Sequence, residues 1–282
     1  MGMFDKVLLT VDFDRTLTGP DSKIPERNLE AIQYFIENGG KFTVNTGRST
    51  TTLRKYLNTL PVNAPFLLYN GSAAYEDGEL TLCRPIDLPM WETLDWAAKE
   101  FPEMNLELQA VDNHYLINPR KEFEEFYDKV GWGHATAEHG KDYGPFLKFS
   151  LFGKPYKNAI ATYFEGDEAE VRAFDRVCQV IMEKFGDKVV VFRAAPRIID
   201  VHAKGVSKIR AARDLQARLG REILVCVGDA ENDITMLDGA DYAYCPSDGV
   251  VADRYETVCP CGEGAVADVI YKKIPVILGI QP

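Results

Sequence analysis

Apolar positions recur along this chain with two periods. Residues 6–13 are a run of β-branched and long aliphatic side chains that closes on two carboxylates, the pattern of a buried strand. Leu29, Ile32, Phe35 and Ile36 then recur at helical spacing, with Pro25 suited to a first turn and Gly39 just past the end, which predicts an amphipathic helix. Short apolar runs at 42–45 and 65–69 read as strands around a second helical pattern at 53–60. Strands alternating with helices over the first seventy residues predict a parallel sheet.

The pattern changes at Asn70-Gly71, a turn signal followed by a hairpin-like stretch at 73–84 and by Pro85 and Pro89. Beyond it the spacing predicts a helix over 90–101, strands over 106–110 and 146–152, a long helix over 168–185 and a strand pair at 188–193 and 197–201. In the long helix Val171, Phe174, Val177, Cys178, Ile181 and Phe185 form an apolar stripe that reads as core. Alternation then resumes: helix 207–219, strand 223–227, helix 233–238, strand 242–245 and a last helix over 265–273. The expected fold is α/β, a doubly wound parallel sheet built from residues 1–84 and 198–282, with an α+β domain of residues 85–197 inserted, long enough for its own core.

Composition narrows the function. The 282 residues are 46% hydrophobic and 27% charged, ordinary for a globular protein. With 43 acidic against 32 basic residues the formal charge is −11, which argues against nucleic acid as a partner. No apolar run approaches the roughly 20 residues that cross a bilayer, and the N-terminus reaches Asp12 too soon for a secretory signal. The apolar tail at 274–280 is also too short and reads as core or interface. Six cysteines, scattered at 83, 178, 226, 245, 259 and 261, suit a reducing compartment, so a cytoplasmic location with no membrane contact is expected.

Ligands of open parallel sheets bind beyond the carboxyl ends of the strands. Strand one ends there in Asp12-Phe13-Asp14-Arg15-Thr16, and alternation along a strand is expected to put Asp12 and Asp14 on one side and Phe13 in the core. For this pentapeptide alone a solvated strand end is an equal alternative. A second acidic cluster, Gly228-Asp229-Ala230-Glu231-Asn232-Asp233, follows the apolar strand 223–227 and tips the balance. Hard oxygen ligands at separate strand ends, with no His or Cys at metal spacing, favour Mg²⁺. Between the clusters, Thr46, Gly47 and Arg48 end strand two with a hydroxyl, an unhindered amide and a guanidinium, the groups a phosphoryl group would use. Lys208 opens a helix, where its charge opposes the dipole and so hints at a local duty.

Asp12-x-Asp14-x-Thr16, Thr46-Gly47-Arg48, Lys208 and Gly228-Asp229-x-x-Asn232-Asp233, taken in order, resemble the four motifs of the haloacid dehalogenase-like superfamily of phosphohydrolases. The place of the insertion, between the second motif and the lysine, is similar to that of subclass IIB, whose members carry an α/β cap and are mostly Mg²⁺-dependent phosphatases of small phosphorylated metabolites. Tyr69-Asn70-Gly71 and Gly205-Val206-Ser207-Lys208 look like that subclass too. Arg15 departs from the pattern, which usually has glycine there.

The resemblance implies a role for each residue. Asp12 would be the nucleophile that forms an aspartyl-phosphate, and Asp14 the general acid and then base. Asp12, the Asp14 carbonyl and Asp229 would hold Mg²⁺, with Asp233 on the metal side. Thr46, Gly47, Arg48 and Asn232 would meet the phosphate, and Lys208 would offset charge between nucleophile and phosphate. The expected activity is hydrolysis of a small phosphorylated metabolite, with sugar phosphates as the default and nucleotide monophosphates, pyridoxal phosphate and polyol phosphates open, by a monomer or homodimer. A phosphosugar mutase on the same fold and a non-catalytic phospho-receiver signalling protein are the alternatives. No Gly-x-Gly-x-x-Gly or Walker-type loop is present, which excludes a dinucleotide-binding dehydrogenase and a P-loop enzyme. Cys259 and Cys261 lack a second ligand pair and read as loop or core, and His134 and His139 are expected in a loop of the cap.

Overall fold

Val7–Val11 is buried at every position, as a strand is only in the middle of a sheet covered on both faces. The structure, a computed structural model, describes residues 2–153 and 168–280. Among these, Val7–Val11 is one of five strands in the order Glu256–Val258, Tyr242–Pro246, Ile223–Val227, Val7–Val11, Lys41–Val44, all parallel. The chain passes from Val7–Val11 to the neighbour on one side and later to Ile223–Val227 on the other. The topological switch point therefore lies between Val7–Val11 and Ile223–Val227, where Val11 pairs with Val227. The fold class expected from alternation is the one observed.

Helix Glu26–Glu37 begins after Pro25 and ends before Gly39, whose φ of 94° only glycine adopts freely. Ala31, Ile32 and Phe35 are its buried face. Helix Lys208–Arg218 is capped by Ser207, whose Oγ accepts from the Arg210 amide at 3.2 Å. The run at 65–69 does not join the main ladder as a full strand. Phe66–Leu68 touches it through one parallel bridge, Leu67 to Asn45, and pairs antiparallel with Ala73–Glu76, the middle strand of a three-stranded sheet that ends in Glu79–Cys83.

Two compact units divide the chain: Met1–Gly47, Tyr56–Leu82 and Ser207–Pro282 in one, Arg48–Lys55 and Cys83–Val206 in the other. The second unit holds a six-stranded sheet in the order Val189–Ala195, Ile198–Ala203, Phe149–Phe152, Asn105–Gln109, His114–Ile117, His134–Thr136. All its pairings are antiparallel except the last. Ile198–Ala203 is hydrogen-bonded on both sides within this sheet, so the return to the first unit comes after Val206 and not at 197/198. Leu106, Leu108, Phe149, Leu151, Ile199 and Val201 point to one face and pack against the helices Met90–Glu100 and Glu168–Phe185. From the stripe of that second helix, Phe174, Val177 and Ile181 are buried here and Cys178 and Phe185 pack beside them; the Val171 side chain lies outside the described residues.

Three elements of the second unit had no clear sequence signal: strands His114–Ile117 and His134–Thr136, and helix Lys121–Val130, which buries Phe123, Phe126 and Tyr127 and stops at Gly131 with φ 69°. His134 is therefore in a strand and not in a loop, whereas His139 is in an exposed loop with its ring tilted against Trp91, centroids 4.6 Å apart. The tail divides: Ile274 is fully buried and Val276 is 68% exposed. No helix among the described residues is long and apolar enough to cross a membrane.

Candidate active site

The first strand stops at Val11, one residue short of the carboxylates. Asp12 stays extended, and its amide donates to the Val227 carbonyl at 2.9 Å, so it sits at the switch point. Phe13–Leu17 then forms a tight helical turn in which Thr18 donates back to the Phe13 carbonyl at 3.0 Å. Asp14 and Arg15 interrupt that turn, Arg15 with φ 56° and ψ 14°, the left-handed region. Strand alternation therefore does not govern Asp14: Phe13 is buried as expected, but Asp14 is an exposed turn residue rather than a strand neighbour of Asp12.

Asp12, Lys208 and Asp233 form a buried ion triad. Lys208 Nζ lies 2.6 Å from Asp12 Oδ1 and 2.6 Å from Asp233 Oδ1, and the lysine is 1% exposed. Asp233 Oδ2 accepts from the amides of Asp229 and Ala230 at 3.0 and 3.1 Å, so one carboxylate both caps its own turn and holds the lysine. Asp229 Oδ1 accepts from Thr16 Oγ1 at 2.9 Å. Gly228 is obligatory beside this group, because a Cβ there would lie 2.6 Å from the Asp233 Cβ. One oxygen each from Asp12, Asp229 and Asp233 falls within 4.8 Å of the other two.

Charge is strained in this cluster. Burial pushes the Asp12 carboxyl well above the usual range; Lys208 pulls it down, while Asp233, Asp229 and Asp14 push it further up. Asp229 is pushed up to about 7 by burial and by Asp233, against the Thr16 hydrogen bond and Lys208. Burial alone would lower Lys208, but its two carboxylates outweigh that and raise it. Three carboxylates against one ammonium leave a surplus of negative charge out of water. Their oxygens are the hard donors that Mg²⁺ or Ca²⁺ takes, and one from each carboxylate lies close to the other two, so the residues suit a divalent metal.

Thr46 and Gly47 continue the neighbouring strand. Thr46 is buried; its amide donates to the Leu67 carbonyl at 2.9 Å, and its carbonyl accepts from the Asn70 amide at 2.9 Å. A Cβ on Gly47 would come within 2.9 Å of Asn70 Oδ1, so the close approach of these two residues suits glycine there. Arg48 is grouped with the second unit, and its guanidinium donates to the Thr52 carbonyl at 3.4 Å. Asn232 is half-buried in the turn Glu231–Asp233. Two residues were assigned no role from the sequence: Thr16, which orients Asp229, and Asn45, whose Nδ2 donates to the Lys208 carbonyl at 2.9 Å. Thr16 was legible only as part of a motif, and Asn45 only as the end of a strand. Cys261 is committed to Asp248, its amide and Sγ lying 2.9 and 3.2 Å from the two carboxylate oxygens.

A model of the haloacid dehalogenase-like hydrolases matches residues 9–250, a span that contains every residue above except Cys261. The chain is a haloacid dehalogenase-like hydrolase. This hydrolase is 24% identical over 278 residues to a hydrolase of Schizosaccharomyces pombe, covering 94% of this chain and 90% of that one. It is 24% identical over 255 residues to the 5-amino-6-(5-phospho-D-ribitylamino)uracil phosphatase YwtE of Bacillus subtilis, with 83% and 85% covered. In fold it is similar to the subclass IIB sugar phosphatase BT4131, with a TM-score of 0.71, 20% identity and 97% and 99% of the two chains covered.

Proposed function

We propose that this hydrolase is an Mg²⁺-dependent phosphatase of small phosphorylated metabolites, sugar phosphates first among them, and that it works through an aspartyl-phosphate on Asp12. The observation that carries the reading is the Asp12–Lys208–Asp233 triad with Asp229 beside it, a buried acidic group at the switch point of a parallel sheet. The phosphatases among its relatives and the sugar phosphatase of similar fold support the substrate class.

Lys208 holds Asp12 Oδ1, which fixes the carboxylate and leaves Oδ2 to attack phosphorus. The P–O bond to the alcohol breaks as the Asp12–P bond forms, and Asp14, exposed and one residue past Phe13, gives the departing oxygen its proton. Asp14 then takes a proton from the water that cleaves the acyl phosphate, restoring Asp12. The Thr46 hydroxyl and the Gly47 amide hold phosphoryl oxygens. Asp12, the Asp14 carbonyl and Asp229 would hold Mg²⁺, with Asp233 behind them, and the ion would neutralise charge on the phosphoryl group.

Phosphate release from a panel of phosphorylated metabolites, with Mg²⁺ and after chelation, tests the reading. Release is expected only with the metal, and Asp12→Asn is expected to lower turnover by at least about 10⁴-fold and to carry no covalent phosphoryl group in a mass spectrum. Full activity after thorough chelation, or a phosphorylated Asp12→Asn protein, would overturn it.

A further inference from the structure

Arg48–Lys55 leaves the sheet directly behind Thr46-Gly47, yet it belongs with the second unit. A buried polar chain holds it there. Ser49 Oγ lies 2.6 Å from His114 Nε2, His114 Nδ1 lies 2.5 Å from Glu107 Oε1, and Glu107 Oε2 accepts from Gln109 Nε2 at 2.9 Å. Ser49, His114 and Glu107 are 0%, 1% and 0% exposed. Glu107 and Gln109 alternate with Leu106 and Leu108, so they occupy the sheet face opposite helices Met90–Glu100 and Glu168–Phe185, the face of Tyr127 from helix Lys121–Val130. Burial would raise the Glu107 carboxyl, but His114, Gln109 and Tyr127 outweigh it and hold the group below the usual range, so it is ionised beside the imidazole.

Ser49 is also the end of a helix. Its Oγ accepts from the Thr52 amide at 3.2 Å while its own amide donates to Thr52 Oγ1 at 3.1 Å, reciprocal bonds that open helix Thr50–Leu57. Two further contacts run to the loop before His114: Thr50 Oγ1 donates to the Val111 carbonyl at 2.5 Å, and Arg54 Nη2 to the Asp112 carbonyl at 3.2 Å. One residue, Arg48, separates Ser49 from Gly47. Consecutive Cα atoms are about 3.8 Å apart, so a backbone pinned at Ser49 has little slack at Gly47. A serine, a histidine and a carboxylate in this order also make hydrolytic triads, but a hydroxyl with no exposure offers an ester no approach.

We propose that the Ser49–His114–Glu107 chain is a positioning element: by fixing Ser49 it fixes the backbone that presents the Gly47 amide and the Thr46 hydroxyl, and so sets how tightly a phosphoryl group is held. The inference rests on the phosphatase reading. None of the three residues touches substrate; each acts through Gly47.

The test compares KM for the best phosphate ester, Ki for inorganic phosphate, and kcat. Ser49→Ala and Glu107→Gln are expected to raise KM and Ki together by about tenfold or more, with a smaller fall in kcat, since misplacing a contact by about 1 Å is enough to cost such factors. Ser49→Thr, which keeps the hydroxyl, is expected to restore Ki. Thr93→Val removes a partly buried hydrogen bond of the same unit, 2.7 Å to the Pro89 carbonyl, and is expected to lower Tm with Ki unchanged. Where Ser49→Ala does not fold, Glu107→Gln decides alone. A wild-type chain that releases phosphate, with Ki unmoved in the folded variants, overturns this inference only; a wild-type chain that releases none overturns the phosphatase reading and this inference with it.

Discussion

Arg15 holds φ 56° in the turn that follows Asp12, a conformation that costs a residue with a Cβ about 1 kcal/mol and costs glycine almost nothing. Arg15→Gly is therefore expected to raise stability by about 0.5 kcal/mol, the strain relieved being partly offset by a more flexible unfolded chain. Urea unfolding checks it. A midpoint that falls would mean that the Arg15 charge, which acts on Asp248 and Cys261, contributes more than the strain costs. Residues whose place depends on an element boundary were readable from the sequence. Asp12, Lys208, Asp229 and Asp233 stand at strand ends or helix starts that the hydrophobic pattern marks, and the structure brings the four together. Asp14 was misread because the strand stops two residues early, and a positive φ at an arginine has no sequence signal. The contact of Ser49 with His114 spans 65 residues, beyond the reach of any local pattern.

At the scale of elements, what could be read depended on length and period. Ile223–Val227 has its expected bounds, and helix Lys208–Arg218 lies one residue inside its own, because apolar periodicity and a cap agree there. Glu256–Val258 escaped notice: three residues, two of them exposed and polar, carry no period. His134–Thr136 is equally short, and helix Lys121–Val130 has only its Phe123, Phe126 and Tyr127 stripe between charged positions. Helix Lys208–Arg218 places its first residue against two carboxylates, so the position of its start matters for the site. Ser207→Ala removes the cap and is expected to cost about 1 kcal/mol of stability. Because Asn45 holds the Lys208 carbonyl independently, turnover per folded molecule should fall less than threefold, about what 0.6 kcal/mol would produce. A thermal melt and an active-site-normalised rate, measured on the same preparation, separate the two; a large rate loss with an unchanged melt would show that the serine acts on the lysine and not on the helix.

For the whole molecule, the surplus of acid at the site is part of a formal charge of −11, and its burial makes stability depend on pH and on the metal. Asp229 titrates near 7 in the folded chain and near the ordinary carboxylate value, about 3.9, in the unfolded one. Between those values the folded state carries more protons, so the slope of stability against pH is negative: without metal, stability is highest at acid pH, falls as pH rises from about 4 to about 7, and levels off above. Asp12, raised in the same direction, adds to the effect. In chelator, then, Tm is expected to drop between pH 5.5 and 8, and Asp229→Asn, which removes the titrating charge, should flatten the drop. Acidic residues elsewhere contribute a background, and the difference between wild type and variant isolates the site. A bound divalent cation favours the ionised form, so Mg²⁺ should raise Tm more at pH 8 than at pH 5.5, and hardly at all in Asp229→Asn. Equal slopes for the two proteins in chelator would show that Asp229 titrates normally when folded, and the charge balance assigned to the cluster would then be wrong.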